Sequence, residues 1–230
     1  MQISAGEFAE ALASHQRAQP IFEQHYGSDH PLVADGLDSI GLAQEGLKRF
    51  AEAQPFFERA LATRRRVLGA AHPVVAYSLH NLGRLLVSQQ KLEAAVPLYE
   101  EGVGIREAAL GRDNPVTAAL VESLAIVHLR LGHLEAGLPL LERALHGYQQ
   151  AYGPDHSETV EAHRNLVVAL AMASRFDEAV LHLREVVLRD VEPGLQMDLK
   201  DSFFDPFRRR PAFQKLEAEV GQRDGQPKQD

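Results

Sequence analysis

Residues 76–115, AYSLHNLGRLLVSQQKLEAAVPLYEEGVGIREAALGRDNP, decide the fold. Their apolar positions follow a helical period twice. In the first half Val75, just ahead of the stretch, and then Leu79, Leu82 and Leu86 fall at i, i+4, i+7 and i+11. In the second half Leu92, Val96, Tyr99, Val103 and Leu110 continue a similar stripe. The steps His72-Pro73 and Asn114-Pro115 mark helix starts, because the fixed φ of proline and its missing N–H suit a first helical turn. The first helix stops near Gln89-Gln90, and a second begins after a tight turn. The stretch is therefore a helical hairpin, a helix A followed by a helix B.

Outward from this hairpin the pattern repeats. Pro31, Pro73 and Pro115 stand 42 residues apart, each preceded by His30, His72 or Asn114, and the next step reaches Ser157 after His156. The same step aligns Gly27, Gly69, Gly111 and Gly153, with Tyr26, Leu68, Leu110 and Tyr152 ahead of them. Pro55, Pro97 and Pro139 recur near the start of each helix B. Core columns keep their size class without an insertion: Ile40, Leu82, Leu124, Leu166; Phe57, Tyr99, Leu141, Leu183; and the small column Ala53, Ala95, Gly137, Ala179. A hairpin of this kind buries its stripe only against its neighbours, so a run of them forms a repeat array.

The quoted stretch closely resembles the long tetratricopeptide repeat of kinesin light chains and of many bacterial scaffold or adaptor proteins. The resemblance covers residues 31–190 as four repeats, 31–72, 73–114, 115–156 and 157–190. It implies an all-α fold, a right-handed superhelical solenoid of antiparallel helix pairs, in which Gly83 on helix A faces Ala95 on helix B. Residues 7–26, with Phe8, Ala11, Ala18 and Tyr26 in register, read as a degenerate half repeat holding helix B alone, and Pro20 is expected to kink or break it. Beyond the array, residues 191–220 read as a capping segment. Its part SFFDPFRRRPAFQKLEAEV (202–220) resembles the closing segment of bacterial relatives, with Phe203, Phe204, Phe207, Phe213 and Leu216 covering the last repeat. Residues 221–230, polar and bearing Gly and Pro, are expected to be disordered.

The resemblance also implies that the A helices line a concave face that takes a peptide or protein segment. Carried over by position, the face holds Asp35, Asp38 and Ser39 in the first repeat, and Tyr77, His80, Asn81 and Arg84 in the second. The third gives Glu122, Ser123 and Arg130, and the fourth Glu161, Arg164 and Asn165. Leu42, Glu45, Ser88, Ala119, Ile126, Val168 and Met172 complete the set. Asn81 and Asn165 match the groove asparagine of the family, whose amide both donates to and accepts from a peptide backbone. Ser39 and Ser123 replace it elsewhere, and the Lys-and-Asn carboxylate clamp of chaperone-binding relatives is missing. Arg84, Arg130 and Arg164 either pair an acidic ligand or neutralise Glu45, Glu122 and Glu161.

Composition narrows the function further. With 24 Lys and Arg against 32 Asp and Glu the formal charge is −8, and both signs are mixed along the helices, which suits a phosphate backbone poorly and speaks against nucleic-acid binding. No apolar run spans a bilayer, and Met1–Leu12 has neither a basic head nor an apolar h-region, so the expectation is a cytoplasmic protein. Cysteine is absent, which excludes disulfides and thiolate metal sites. The histidines offer no HExxH, and His128 and His133 are too far apart in sequence for one helix face; His30, His72 and His156 are accounted for as helix starts. Neither a G-x-S-x-G elbow nor a P-loop nor GxGxxG occurs. Arg64–Arg66 and Arg208–Arg210, the two basic runs, read as a solvated face and a part of the closing segment. The expectation is a non-enzymatic scaffold without cofactor or metal, whose partner is a protein or peptide. Alternatives are a regulatory or sensor module of a larger signalling enzyme, and self-association into a homo-oligomer through the N-terminal end.

Overall fold

The computed structural model describes residues 5–188 and 197–224, with side chains to residue 222. Among these residues the chain forms ten α-helices and one 3-10 turn, with no strand. They fall into two compact units, Met1–Arg112 and Asp113–Asp230.

The first unit begins with α1 (Ala5–Tyr26), which packs on α2 (Pro31–Gly46). Two hairpins follow: α2 with α3 (Phe50–Leu68), and α4 (Pro73–Ser88) with α5 (Leu92–Leu110). Helix A of each hairpin starts where the sequence places it. The His30 and His72 rings accept at Nδ1 from the N–H groups of Leu32 and Val74, at 3.2 and 3.3 Å, with proline in the first turn. Each helix A stops in a residue with left-handed backbone: Lys48 at φ 59° and Gln90 at φ 62°. The N–H of Lys91 then reaches back to the carbonyl of Leu86 at 2.8 Å, which closes the helix end and turns the chain into helix B. Phe57, Leu61, Val75, Leu79 and Leu85 of α3 and α4 form one buried apolar cluster, and Val33, Leu37 and Ala60 of α2 and α3 form a second. The glycines of helix A make room for helix B rings: a Cβ on Gly41 would stand 2.8 Å from Phe57, and one on Gly83 would stand 2.8 Å from Tyr99. The ring of Tyr99 is the nearest neighbour that Gly83 admits.

Pro20 does not break α1, which continues through it to Tyr26. Pro20 is exposed, so the carbonyl it leaves without an N–H can turn to water. Pro55, Pro97 and Pro139 likewise sit inside helices.

The second unit repeats the hairpin as α6 (Pro115–Arg130) with α7 (Leu134–Tyr152), and α8 (Ser157–Met172) with α9 (Phe176–Val187). Asn114 caps α6 through its Oδ1, 2.9 Å from the N–H of Val116, whereas His156 makes no cap bond to α8 and instead contacts Glu158 at 2.6 Å. Here the small columns face each other: a Cβ on Gly137 would come within 3.2 Å of the Ala125 carbonyl and 2.8 Å of Leu129. After α9, a 3-10 turn (Ser202–Phe207) leads into α10 (Pro211–Asp224), which lies on α9. Phe204, Phe207, Phe213 and Leu216 are buried, Phe207 meets Phe176 of α9 edge to face at 5.0 Å, and Phe203 stays partly exposed. Helix α10 continues four residues into the segment expected to be disordered. Residues 189–190 of the fourth repeat, 191–196 of the capping segment and 225–230 of the tail lie outside the described residues.

Candidate binding face

In the first unit the A-helix face is built over a buried cation. Arg64 of α3, 2% exposed, donates through Nη1 to the Asp38 carboxylate and, at 2.5 Å, to Ser78 Oγ, and through Nη2 to Asp35 Oδ1 at 2.5 Å. Its guanidinium also lies 5.8 Å from the ring centre of Tyr77. Burial pushes the Asp38 carboxyl above the usual carboxylate range, against the pull of Arg64. Asn81 reaches toward the same carboxyl without closing a bond of good geometry, and its Nδ2 is buried. Asp38 and Asn81 are each 3% exposed, so both lie beneath the face rather than on it. Exposed above them are Asp35 and Tyr77.

Toward the other end of the same helices Arg84 pairs with Glu45 across α4 and α2 at 2.8 Å. Burial raises the Glu45 carboxyl while Arg84 opposes it. His80 is driven down to about 4 by burial and by the nearby charges of Arg84 and Arg106. Its ring lies 5.9 Å from that of Tyr99, which burial pushes up to about 12. The Ser39 hydroxyl donates to the Asp35 carbonyl of its own helix at 2.9 Å.

In the second unit the corresponding acid is Glu122, and its partners are neutral. Tyr148 of α7 donates its hydroxyl to Oε2 at 2.9 Å, and Asn165 of α8 donates Nδ2 to Oε1 at 2.9 Å. Burial raises the Glu122 carboxyl, the two hydrogen bonds hold it down, and the charges of Glu161 and Glu158 raise it further. Arg164 is tied to Glu161 at 2.6 Å. Ser123 bonds the Ala119 carbonyl at 3.0 Å. One helical turn from these polar groups stand Ile126, Val168 and Met172, 37, 41 and 53% exposed, and Arg130 is exposed on α6.

Of the three arginines weighed as ligand-binding or neutralising, Arg84 and Arg164 are therefore committed to Glu45 and Glu161. What sequence reasoning missed is Arg64. Read as part of a solvated run, it is the largest fully buried side chain, while Arg65 and Arg66 pair at the surface with Glu101 and Asp29. The signal lay in its column, which reads Arg64, Arg106, Tyr148: three long side chains with a polar tip at an inward-facing position. A second polar pair replaces apolar columns in the fourth repeat. His163 stands where Leu37, Leu79 and Val121 stand, His182 where Phe56, Leu98 and Leu140 stand, and their Nδ1 atoms are 2.9 Å apart. Among the described residues no group of three or more His, Asp or Glu could hold a metal ion, and no helix is long and apolar enough to cross a membrane.

The family model for the tetratricopeptide repeat matches residues 2–65, 39–108 and 110–187. The chain belongs to the tetratricopeptide repeat family. Solved structures agree on the fold. BtubC (BKLC) from P. vanneervenii superposes with a TM-score of 0.73 at 17% identity, over 97% of this chain and 94% of that one. A kinesin light chain candidate of Podosopora anserina with nearly identical TPR-like repeats gives 0.70 at 22% identity, over 78% and 85%. YrrB, described as a TPR protein with an unusual peptide-binding site, gives 0.58 at 17%, over 88% and 90%. None of the curated proteins matches the chain. The kinesin light chain-like tetratricopeptide repeat is thus shared in fold with these proteins, and the fold is that of an interaction module.

Proposed function

We infer that the chain is a non-enzymatic protein-interaction scaffold that binds a peptide or protein segment on its A-helix faces. The observation that carries this reading is that polar side chains on neighbouring A helices are fixed against one another, as in Asn165 on Glu122 and Arg84 on Glu45, with exposed apolar side chains such as Tyr77 and Val168 on the same helices. Such a face meets a ligand with its rotamers already chosen, so little side-chain entropy remains to be lost on binding. Ordinary solvated helix faces need no such ordering.

The test compares capture of partners from the native host by three variants. Tyr77→Ser and Val168→Ser remove exposed apolar contacts on helices A, and Leu181→Ser does the same on helix B, where Leu181 is 66% exposed. Loss of the captured proteins in the first two, with the third unchanged and all three melting within a few degrees of wild type, is the expected result. Capture that survives both A-helix changes and fails with Leu181→Ser removes the reading.

A second surface is favoured by α1, where Ile21 and Phe22 are 65 and 39% exposed on a helix that packs against α2. Apolar area of this kind fits self-association through the N-terminal end.

A further inference from the structure

The two units hold the same acid in different ways, and the difference has a chemical consequence. Asp38 and Glu122 occupy one column of the repeat, two repeats apart. Asp38 has its counter-charge built in, since Arg64 enters from helix B. At the column position of Arg64 the second unit carries Tyr148, which donates a hydrogen bond but no charge. No Lys or Arg among the described residues bonds Glu122, and Glu161 and Glu158 add negative field around it. Its carboxylate is half-buried, so water compensates it poorly, and a cation brought from outside gains more there than at an open surface.

We propose that the A-helix face of the second unit docks a protein segment that places a lysine or arginine on Glu122 and an apolar side chain on Ile126, Val168 and Met172. The proposal rests on the A-face reading above. Charge selects the occupant at this point of the face: Glu161 is already paired with Arg164, whereas an acidic peptide or a nucleic acid would set its anions against Glu122, whose bonding partners are neutral. The three apolar side chains, exposed on the same helix faces, supply the area that a lone ion pair lacks. Asn165 adds register, because its amide is already oriented by the Glu122 oxygen that it bonds.

The test is a selection of short random peptides displayed on phage against the full chain, followed by fluorescence polarisation of the enriched peptides. The expected peptides carry Lys or Arg beside an apolar residue. Their Kd should weaken by about tenfold or more in Glu122→Gln, and also in Tyr148→Arg, which supplies the cation internally as Arg64 does in the first unit. Tyr148→Phe, which removes the hydroxyl alone, should leave most of the binding. Since an arginine is 2% exposed at the equivalent site of the first unit, Tyr148→Arg has a precedent for folding, and Glu122→Gln decides if it does not fold. Enriched peptides without basic residues, or indifferent to Glu122→Gln, overturn the proposal. If those peptides still fail on Val168→Ser, the A-face reading stands without it. Enrichment of nothing, or of peptides indifferent to every A-face change, overturns both.

Discussion

At the scale of single residues, the polar groups beneath the A-helix faces are held by burial and by one another. His80 shows the effect most directly. Its folded value near 4 lies below the roughly 6.5 of an unfolded histidine. The unfolded chain therefore takes up this proton first on acidification. The stability that His80 contributes is complete above about pH 6.5 and is lost as pH falls from there through about 4. His182, depressed by burial as well, acts in the same direction. Thermal melts of the wild type and of His80→Asn across that range should converge or cross as pH falls, with the wild type losing more. Parallel curves would mean that His80 titrates freely. At this scale the sequence was least legible. Carry-over by position put Asp38 and Asn81 on the face and the basic run put Arg64 in solvent, but whether a polar residue caps a groove or plugs a core depends on its partner across the helix pair. Arg64 is internal only because Asp35, Asp38 and Ser78 all turn toward it.

At the scale of elements, the helix starts and stops were readable because their chemistry is local. Proline and the N-cap side chain act within one turn, so His-Pro and Asn-Pro identify helix A without any tertiary knowledge. The turn between helices A and B is equally regular. Lys48, Gln90, Gly132 and Ser174 all have φ between 58 and 79°, and glycine occupies that position in one repeat of the four. A side chain in left-handed backbone crowds its own carbonyl, which glycine avoids. Gln90→Gly should accordingly stabilise the chain by about 0.5–1 kcal/mol, seen as a raised denaturation midpoint with unchanged m-value. A lowered midpoint would show that the exposed Gln90 side chain makes a contact worth more than the strain. Pro20 misled for a related reason. The rule that proline interrupts helices presumes that the freed carbonyl has no donor, and at an exposed position water can donate to it.

At the scale of the whole molecule, the 42-residue period pointed to a repeat array, and the helical spacing of the apolar residues inside each period made that array one of stacked hairpins. Each unit then carries its own buried core, so stability is distributed rather than concentrated. Phe57→Ala empties a side chain of zero exposure in the first unit and should cost about 3–5 kcal/mol. Native-state hydrogen exchange should show that loss in α2, α3 and α4, while amides of α6 to α9 keep most of their protection. Equal loss throughout would mean that the array opens as one cooperative body.

The alternation of the face residues bears on how such a chain can change length. Apolar columns recur every 42 residues, yet the acid and the asparagine that bonds or approaches it return only every 84: Asp38 with Asn81, then Glu122 with Asn165. Duplicating or excising one hairpin would satisfy the hydrophobic seam while setting Ser39-type and Asn81-type neighbours out of step. Growth in pairs of hairpins preserves both rhythms, so the natural building block for evolution or engineering of this protein is twice the repeat that defines its family.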